Sequence, residues 1–440
     1  MAYNLCAFAV KIIINFNFMK ISKILLLCII ILLCTHIKID AQDTLKMTIE
    51  QTEEQFLENN LLLLAERCHI SIADAAIVQA KLLNNPTIGV SDINFWTSNA
   101  TAVEANNNPP IQFSVELEQV IRTAGKRKKL MNLEKVSKEI AVQEFEAFLL
   151  GLKTELRITL HETIYLQSYV EIIKIQKDAI SNLVEVYKAQ TSVGNIAKSE
   201  LIRLQSSLIE LETEENEVRT ELNKQYKELK GLLNIKPEIT ISILPTLTST
   251  KNPDEMHITE LLEMAQTSRP EFLLSDLSVK YNEKLLALEK AQRSPDIALS
   301  VNYDRYGGVW KNFVGVGISL DLPVFNLNQG NIKIAKFQIE QSNYNAEYQK
   351  NEIYHEIIEL FNNYKMNYQF YNKLMDNDFS EDLEEMLNAY SRNFLNKNIN
   401  MLEYIDFMYA YKTTKQAILV AKKNVDTSFA ELQFSLNYDF

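Results

Sequence analysis

The sequence predicts a mainly α-helical protein with a smaller β component, in which long antiparallel helices are joined to four strands paired as two hairpins. Three observations support this fold class. Between Pro295 and Gly330, two runs alternate large apolar residues with small or polar ones. From Asn331 to Phe440 the chain contains neither glycine nor proline, and the absence of helix breakers favours very long helices. The same order of patterns occurs twice along the chain.

The two alternating runs predict membrane-length strands. Their large apolar residues are Ile297, Leu299, Val301 and Tyr303 in the first run and Val314, Val316, Ile318, Leu320 and Leu322 in the second. A period of two places these side chains on one face of each strand. Alternation alone does not distinguish a water-soluble sheet covered by helices from an outer-membrane barrel that turns its apolar face to lipid.

The N-terminus has the order of a secretory signal, which we predict over residues 1–41. Lys20 and Lys23 precede the apolar run Ile24–Leu33, and Ala41 offers a small residue for cleavage. Met19 offers a second start. Three of the four cysteines lie in this segment, so that Cys68 remains alone and an intrachain disulfide is excluded. Lipidation at Cys34 is the less favoured alternative.

Two similar repeats follow the signal, each with a helical segment, a β-hairpin, a long helix and a further helix. The predicted boundaries are residues 42–244 for the first repeat, with a hairpin at about 87–118 and helices at 125–191 and 196–233; 245–255 for a connector; and 256–440 for the second repeat, with a hairpin at about 296–322 and helices at 330–394 and 399–435. Gly125 corresponds to Gly330 and Ile196 to Ile399, and Trp96 and Trp310 lie in equivalent hairpins. Such self-similarity indicates an internal duplication.

The element lengths indicate an assembly. A helix of the length predicted after each hairpin would span roughly 100 Å, beside two shorter helices stacked end to end. Four strands cannot close a membrane barrel, which needs at least about eight, and open edges are not tolerated in lipid. Three copies would supply about twelve strands, so the sequence favours a homotrimer. Four copies are the less favoured alternative.

Several short motifs resemble the TolC-like outer-membrane efflux proteins. They are Asn84–Pro86 after the first helix, Gly125–Arg127 after the first hairpin, Val193 and Gly194 at the first helical turn, and Leu320–Asn326 with Asn328–Asn331 after the second hairpin. The resemblance covers residues 47–440. The residues around Gly125 and Gly330 are similar to those of family members that serve heavy-metal cation pumps.

This resemblance implies a trimeric tube that acts as the exit duct of a tripartite efflux system. A twelve-stranded barrel would sit in the outer membrane of a Gram-negative bacterium, and an all-α barrel would project into the periplasm. Its tip would dock the periplasmic adaptor protein of an inner-membrane pump through Val193, Gly194, Asn195, Lys397 and Asn398. Where the family has a second glycine turn, this chain has Asn396, Lys397 and Asn398, which puts the contacts at that turn in doubt.

The family also implies a pore gate near the tip, for which Glu403 and Asp406 are the equivalents in this chain. Their spacing of three residues places both on one helical face. In a trimer they would form two carboxylate rings that favour cations. The alternative is that both are ordinary solvated helix acids. Trp96 and Trp310 are the candidates for an aromatic belt or loop at the membrane surface.

No enzyme signature is present, and we expect no cofactor and no resident metal site. His161–Glu162 and His355–Glu356 lack the second histidine of a zinc-protease helix. The formal net charge of −12 argues against a nucleic-acid partner. The positive run Lys126–Lys129 either meets an external partner such as anionic lipid headgroups or only begins a helix. Positive charge at a helix N-terminus is electrostatically unfavourable, which favours the external partner without excluding the second reading.

Other readings remain open at this level. A periplasmic coiled-coil scaffold would explain the helices but not the strand pairs. An exit duct for type I polypeptide secretion would have the same architecture. A secreted enzyme has no site in this sequence. Metal cations, drugs and polypeptides are all open as cargo.

Overall fold

The computed structural model describes residues 44–95, 111–245, 250–375 and 379–438. The predicted signal, its alternative start, Cys34 and Trp96 lie outside these ranges. The chain divides into two compact units. The small one contains the strand β1 (Thr44–Met47) and the greater part of a second strand, Thr240–Ile243, with which β1 forms a two-stranded sheet. The sequence predicted neither of these four-residue strands.

The large unit, residues 48–235 and 243–440, contains the helices and the larger sheet. In chain order, with the second strand of the small sheet as β4, its elements are α1 (Ile49–Asn59), α2 (Leu61–Lys81), β2 (Thr87–Asn94), β3 (Gln112–Ile121), α3 (Lys126–Ser192), α4 (Lys198–Leu232), α5 (Ile258–Ser268), α6 (Pro270–Ala291), β5 (Ile297–Arg305), β6 (Asn312–Leu320), α7 (Gln329–Met375), α8 (Phe379–Leu395) and α9 (Met401–Leu436). Among the described residues, no helix combines the length and apolarity needed to cross a bilayer.

The helical segment before each hairpin is two helices, where the sequence predicted one. Asn60 ends α1 and caps α2: its side chain accepts a hydrogen bond from the Leu63 N–H at 2.8 Å, and its Nδ2 donates to the Leu232 carbonyl at 2.8 Å. In the second half, Pro270 begins α6 and holds Arg269 in an extended conformation. A capping asparagine and a proline at the first helical position therefore mark these breaks.

The larger sheet is antiparallel throughout, with the strand order β2-β3-β5-β6. The large apolar side chains of β5 and β6 share one face, where Val301 pairs with Val316 and Leu299 with Ile318. The opposite face carries small and polar residues; a Cβ added at Gly317 would come within 2.6 Å of the Ser300 Oγ. The apolar face is open, since Val316 is 85% exposed and Ile318 is 73% exposed.

The helices pack around α3 and α9. Helix α3 has 67 residues and contacts α2, α4, α6 and α9 along its length. The C-terminal half of α9 packs against α5, α6 and α7 in an aromatic-rich core that includes Phe272, Tyr364 and Phe429. The N-terminal half of α9 packs against α3, α4 and α8 in a second core. The predicted helix 330–394 is represented by α7 and α8, and residues 376–378 between them lie outside the described ranges.

A partly buried ion pair joins the two halves of the chain where the sheet meets the helices. The Lys126 Nζ lies 2.8 Å from the Asp296 Oδ1, and the Lys126 side chain is only 8% exposed. The Thr123 N–H donates to the same Asp296 oxygen at 2.9 Å. Burial opposes ionisation of Asp296, but the Lys126 ammonium and the Thr123 N–H outweigh it and lower the pKa of this carboxyl. The expectation of an external partner is therefore wrong for Lys126, because this lysine pairs with Asp296 within the chain.

We expect Lys126→Met to destabilise the protein by about 1–3 kcal/mol, because it leaves the Asp296 carboxylate without its cation. Lys128→Met is the matched control, since Lys128 is exposed on the same helix turn. The measurement is the thermal unfolding midpoint of the protein in detergent at neutral pH. Equal midpoints for the two variants would contradict a structural role for the pair.

The same pair predicts acid sensitivity. The folded-state pKa of Asp296 lies below its unfolded value of about 3.9, so its contribution to stability is present above that value and is lost as the pH falls through the folded-state pKa. Asp296→Asn should therefore lower the midpoint at pH 7 and reduce the further loss in acid. An unchanged acid profile in this variant would argue against the assignment.

Candidate functional site

The candidate tip consists of two helical turns, one between α3 and α4 and one between α8 and α9. In the first, Gly194 adopts a left-handed conformation with φ +79°. The Gly194 N–H donates to the Thr191 carbonyl at 3.1 Å, and the Asn195 N–H donates to the Gln190 carbonyl at 3.0 Å. These bonds end α3 in a glycine-type C-cap. Val193 is exposed beside them.

The second turn has the same backbone with a different residue at its centre. Lys397 takes the place of glycine with φ +59°, and the Asn398 N–H donates to the Asn393 carbonyl at 2.8 Å. The side chains also correspond: Asn195 donates to the Gln190 side chain at 2.9 Å and Asn398 to the Asn393 side chain at 3.2 Å. The missing glycine therefore does not change the backbone of the second turn. Both turns end their helix with a residue in the left-handed conformation.

Aromatic rings join the two helical hairpins just inside the turns. The ring of Phe394 on α8 stacks on Tyr404 of α9 at 4.6 Å and on Tyr187 of α3 at 6.4 Å between centroids. Tyr390 and Phe407 stack at 4.1 Å. Leu204 and Met408 complete the buried core beneath these rings. The core fixes both turns at the same end of the four helices.

The candidate gate residues lie in the first two turns of α9. Glu403 belongs to a capping box: its N–H donates to the Asn400 Oδ1, and its Oε2 accepts from the Asn400 N–H, each at 3.0 Å. Asp406 is exposed one turn further along the helix. In the first half of the chain, Glu200 and Arg203 occupy the corresponding positions on α4 and are exposed as well. The structure thus gives Glu403 a local capping role in addition to its charge.

A buried polar cluster that the sequence did not predict links α9 to α3 and α4. The Glu214 carboxylate on α4 accepts hydrogen bonds from the Tyr169 hydroxyl on α3 and from the Lys412 ammonium on α9. Burial, together with the Glu214 carboxylate, raises the pKa of the Tyr169 hydroxyl. The Gln176 amide donates to the Met408 carbonyl nearby. No short-range signal identifies this cluster, because its members come from three distant segments.

A second carboxylate cluster lies beside the first on α4. Glu215 accepts hydrogen bonds from the Lys177 ammonium and from the Arg219 guanidinium, which lower the pKa of this carboxyl against the effect of burial. On α9, burial and the neighbouring Glu384 carboxylate raise the pKa of Tyr411 to about 12. Glu215 and Glu384 are therefore each paired within their own hairpin. The directed contacts between the two hairpins are made by Lys412 with Glu214 and by Gln176 with Met408.

The remaining candidates lie elsewhere. Trp310 is 72% exposed in the β5–β6 loop, and Trp96 is outside the described residues. His161 is buried, and burial lowers its pKa although the Asp426 carboxylate, at 3.7 Å, opposes this shift. Among the described residues, no three histidine, cysteine or acidic side chains are grouped so that they could hold a metal ion. Cys68 is a free, exposed cysteine.

The two turns allow a matched test of backbone strain. Gly194→Ala should speed hydrogen exchange of the first turn about fivefold, since a side chain in the left-handed region costs about 1 kcal/mol. Lys397→Gly should slow exchange of the second turn, while Lys397→Ala removes the charge without relieving the backbone. Hydrogen-exchange mass spectrometry of the turn peptides measures both. If Lys397→Gly and Lys397→Ala gave equal exchange rates, the slowing would be due to loss of the lysine charge and not to relief of backbone strain.

Comparisons with known proteins agree with this architecture. No family model matches the chain. The cobalt-zinc-cadmium resistance protein CzcC of Cupriavidus metallidurans is 22% identical over 314 residues, which are 67% of this chain and 68% of CzcC. The CmeC outer membrane channel of Campylobacter jejuni matches with a TM-score of 0.71 and 14% identity, over 88% of this chain and 85% of CmeC.

A third similar protein is the MtrE outer membrane channel of Neisseria gonorrhoeae, solved in an open state. It matches with a TM-score of 0.66 and 14% identity, over 88% of each chain. These likenesses confirm the predicted mainly α fold with antiparallel strands. The chain therefore has the fold of the TolC-like outer-membrane channels, the family that its motifs resemble.

Proposed function

We propose that this protein is the outer-membrane exit duct of a tripartite efflux system, and that it conducts its cargo passively from an inner-membrane pump and a periplasmic adaptor to the exterior. The observation that carries the proposal is the open apolar face of the β2-β3-β5-β6 sheet, attached to helices long enough to reach far into the periplasm. Transport through such a duct requires no chemistry in this chain, because the pump supplies the energy.

A homotrimer is the assembly that we propose. Within the described residues, the outer edges of β2 and β6 pair with no further strand. Unpaired backbone groups cannot face hydrocarbon, so these edges need partner strands from other copies. Three copies supply about twelve strands, above the minimum of about eight for a membrane barrel. The outer edge of β6 in one copy would then pair with β2 of the next.

The two helical turns would form the adaptor-docking tip. Val193, Gly194 and Asn195 on one turn and Lys397 and Asn398 on the other lie at the same end of four helices, joined by one aromatic core. Two similarly shaped turns per copy would give a trimer six contact points. An adaptor that contacts the backbone of these turns would meet similar surfaces at both, although Lys397 occupies in the second turn the position that Gly194 has in the first.

Glu403 and Asp406 would form the gate. Both are exposed on the first turns of α9, and the capping box orients the Glu403 carboxylate relative to the helix start. Two carboxylate rings would attract cations, and their mutual repulsion would be relieved by a bound cation or by protonation. The gate would open when the hairpins spread, a movement that the paired charges between α3, α4 and α9 oppose.

Heavy-metal cations are the cargo that we favour, because CzcC carries resistance to cobalt, zinc and cadmium in its name. An exit duct for polypeptide secretion would use the same architecture, and the identity of the pump would distinguish the two. A periplasmic scaffold is disfavoured, since it would leave the apolar sheet face in water.

Membrane insertion is tested by placing one lysine on either face of β6. Val316→Lys should abolish the heat-sensitive trimer, because a lysine facing lipid costs about 2–4 kcal/mol near the bilayer midplane. Ser319→Lys, on the polar face of the same strand, is the control and should assemble normally. The readout is membrane fractionation followed by gel migration with and without heating. Recovery of the unmodified protein in the soluble periplasm without detergent would reject the duct.

The gate is tested with charge-only substitutions. Glu403→Gln retains a capping-box residue, and Glu403→Gln with Asp406→Asn should raise single-channel conductance and weaken block by divalent cations in planar bilayers. The control removes two exposed carboxylates from α4, Glu210→Gln with Glu217→Gln, and should leave both quantities unchanged. Currents equal to those of the unsubstituted protein would remove the gate assignment and leave the fold intact.

A further inference from the structure

A basic groove lies where the sheet meets α7. It is a cavity of about 600 Å³ between the end of α6 and the first turns of α7. Its cationic side chains are Arg293, Lys333 and Lys336, and its apolar side chains are Leu327, Ile332 and Phe337. The groove thus combines concentrated positive charge with an apolar floor.

Among the residues that the structure describes, the three cations of the basic groove form no ion pair. In the part of the chain that the structure describes, no carboxylate lies within ion-pair distance of Arg293, Lys333 or Lys336. This contrasts with Lys126 nearby, which is buried against Asp296. Glu340 lies on the rim and accepts a hydrogen bond from the Tyr344 hydroxyl at 3.4 Å. Three exposed cations facing one carboxylate leave the groove with a net positive charge.

The surroundings of the groove are apolar and open. The link between β6 and α7 exposes Leu322, Val324 and Phe325, and Phe325 is 94% exposed. The apolar face of the sheet begins directly beyond this link. Lys333 and Lys336 lie within two turns of the start of α7, about 10 Å along the helix. Headgroup regions add about 5–8 Å to each side of the hydrocarbon core. Lys333 lies at about this depth, roughly 6 Å along the helix, and the Lys336 side chain slants back toward the helix start and so reaches it.

We propose that the basic groove binds an anionic phospholipid of the membrane leaflet that faces the helices, with the phosphate held by Arg293, Lys333 and Lys336 and the glycerol and upper acyl chain against Ile332 and Phe337. A guanidinium and two ammonium groups match the geometry and charge of a phosphodiester. Clustered basic residues between apolar elements at a membrane surface bind acidic headgroups. The proposal rests on the membrane location under the proposed function and adds a lipid site to it.

The test uses the full chain purified in detergent and native mass spectrometry with phosphatidylglycerol or phosphatidylcholine of identical acyl chains. We expect the protein to retain phosphatidylglycerol in preference to phosphatidylcholine by roughly tenfold. The variant Arg293→Gln, Lys333→Gln, Lys336→Gln should reduce this preference to about twofold. The control Lys198→Gln, Lys224→Gln, Lys227→Gln removes the same charge from α4 and should keep the full preference.

A third variant distinguishes loss of the lipid site from damage to the fold. Glu340→Gln removes the carboxylate on the rim and should strengthen retention of phosphatidylglycerol, which a misfolded protein would not do. Equal retention of both lipids by the unsubstituted protein would overturn the proposal. So would competition by inorganic phosphate but not by chloride at the same ionic strength, since this would identify a site for a soluble anion.

Two further outcomes separate this inference from the function on which it rests. Loss of the trimer in the triple variant, with no change in lipid preference of the remaining trimers, would assign the groove to contacts between copies and overturn the lipid site. A protein that inserts into bilayers and conducts ions but shows no lipid preference would overturn the lipid site alone. A protein that does neither would overturn the proposed duct as well.

Discussion

The β2-β3-β5-β6 sheet has a large apolar face that no described element of the chain covers, and the rest of the structure depends on how this face is removed from water. Val316 and Ile318 are mostly exposed, and the helices pack on one another elsewhere. In water such a face would be a severe liability, and in lipid it is the required surface. The small and polar residues on the other face, including Gly315, Gly317 and Ser300, then suit a water-filled interior. The proposed membrane location and assembly both follow from this asymmetry.

Contacts between the two halves of the chain hold the long helices in place. At the sheet, Lys126 and Asp296 connect the start of α3 to the start of β5. Further from the sheet, Glu214 on α4 binds Tyr169 on α3 and Lys412 on α9, and so connects three helices. Buried ionic groups of this kind contribute less to stability than to a defined arrangement, because their desolvation offsets much of their attraction. Directed polar links at the sheet and halfway along α4 let very long helices keep one register, and the link between Glu214 and Lys412 holds the two hairpins together.

The two turns show how one backbone can arise from different sequences. Gly194 reaches its left-handed conformation without a steric penalty, whereas Lys397 reaches a similar conformation with a side chain present. The same hydrogen bonds close both turns, and the aromatic stack of Tyr187, Phe394 and Tyr404 lies directly inside them. Tertiary packing therefore supports a conformation that local propensity disfavours at the second turn. A functional surface that depends on the backbone can survive such a replacement.

The sequence by itself determined the features that repeat along the chain. Alternation with a period of two determined the faces of β5 and β6, and the absence of glycine and proline after Asn331 determined the helical character of that region, because both follow from local backbone geometry. The partner of Lys126, the cluster around Glu214 and the pairing of β1 with β4 were decided only by the tertiary structure. Each of them joins residues far apart in the chain, and no local pattern specifies which distant side chain will be close. Asn60 lies between these cases: its capping tendency is local, but the Leu232 carbonyl that holds its side chain comes from another helix.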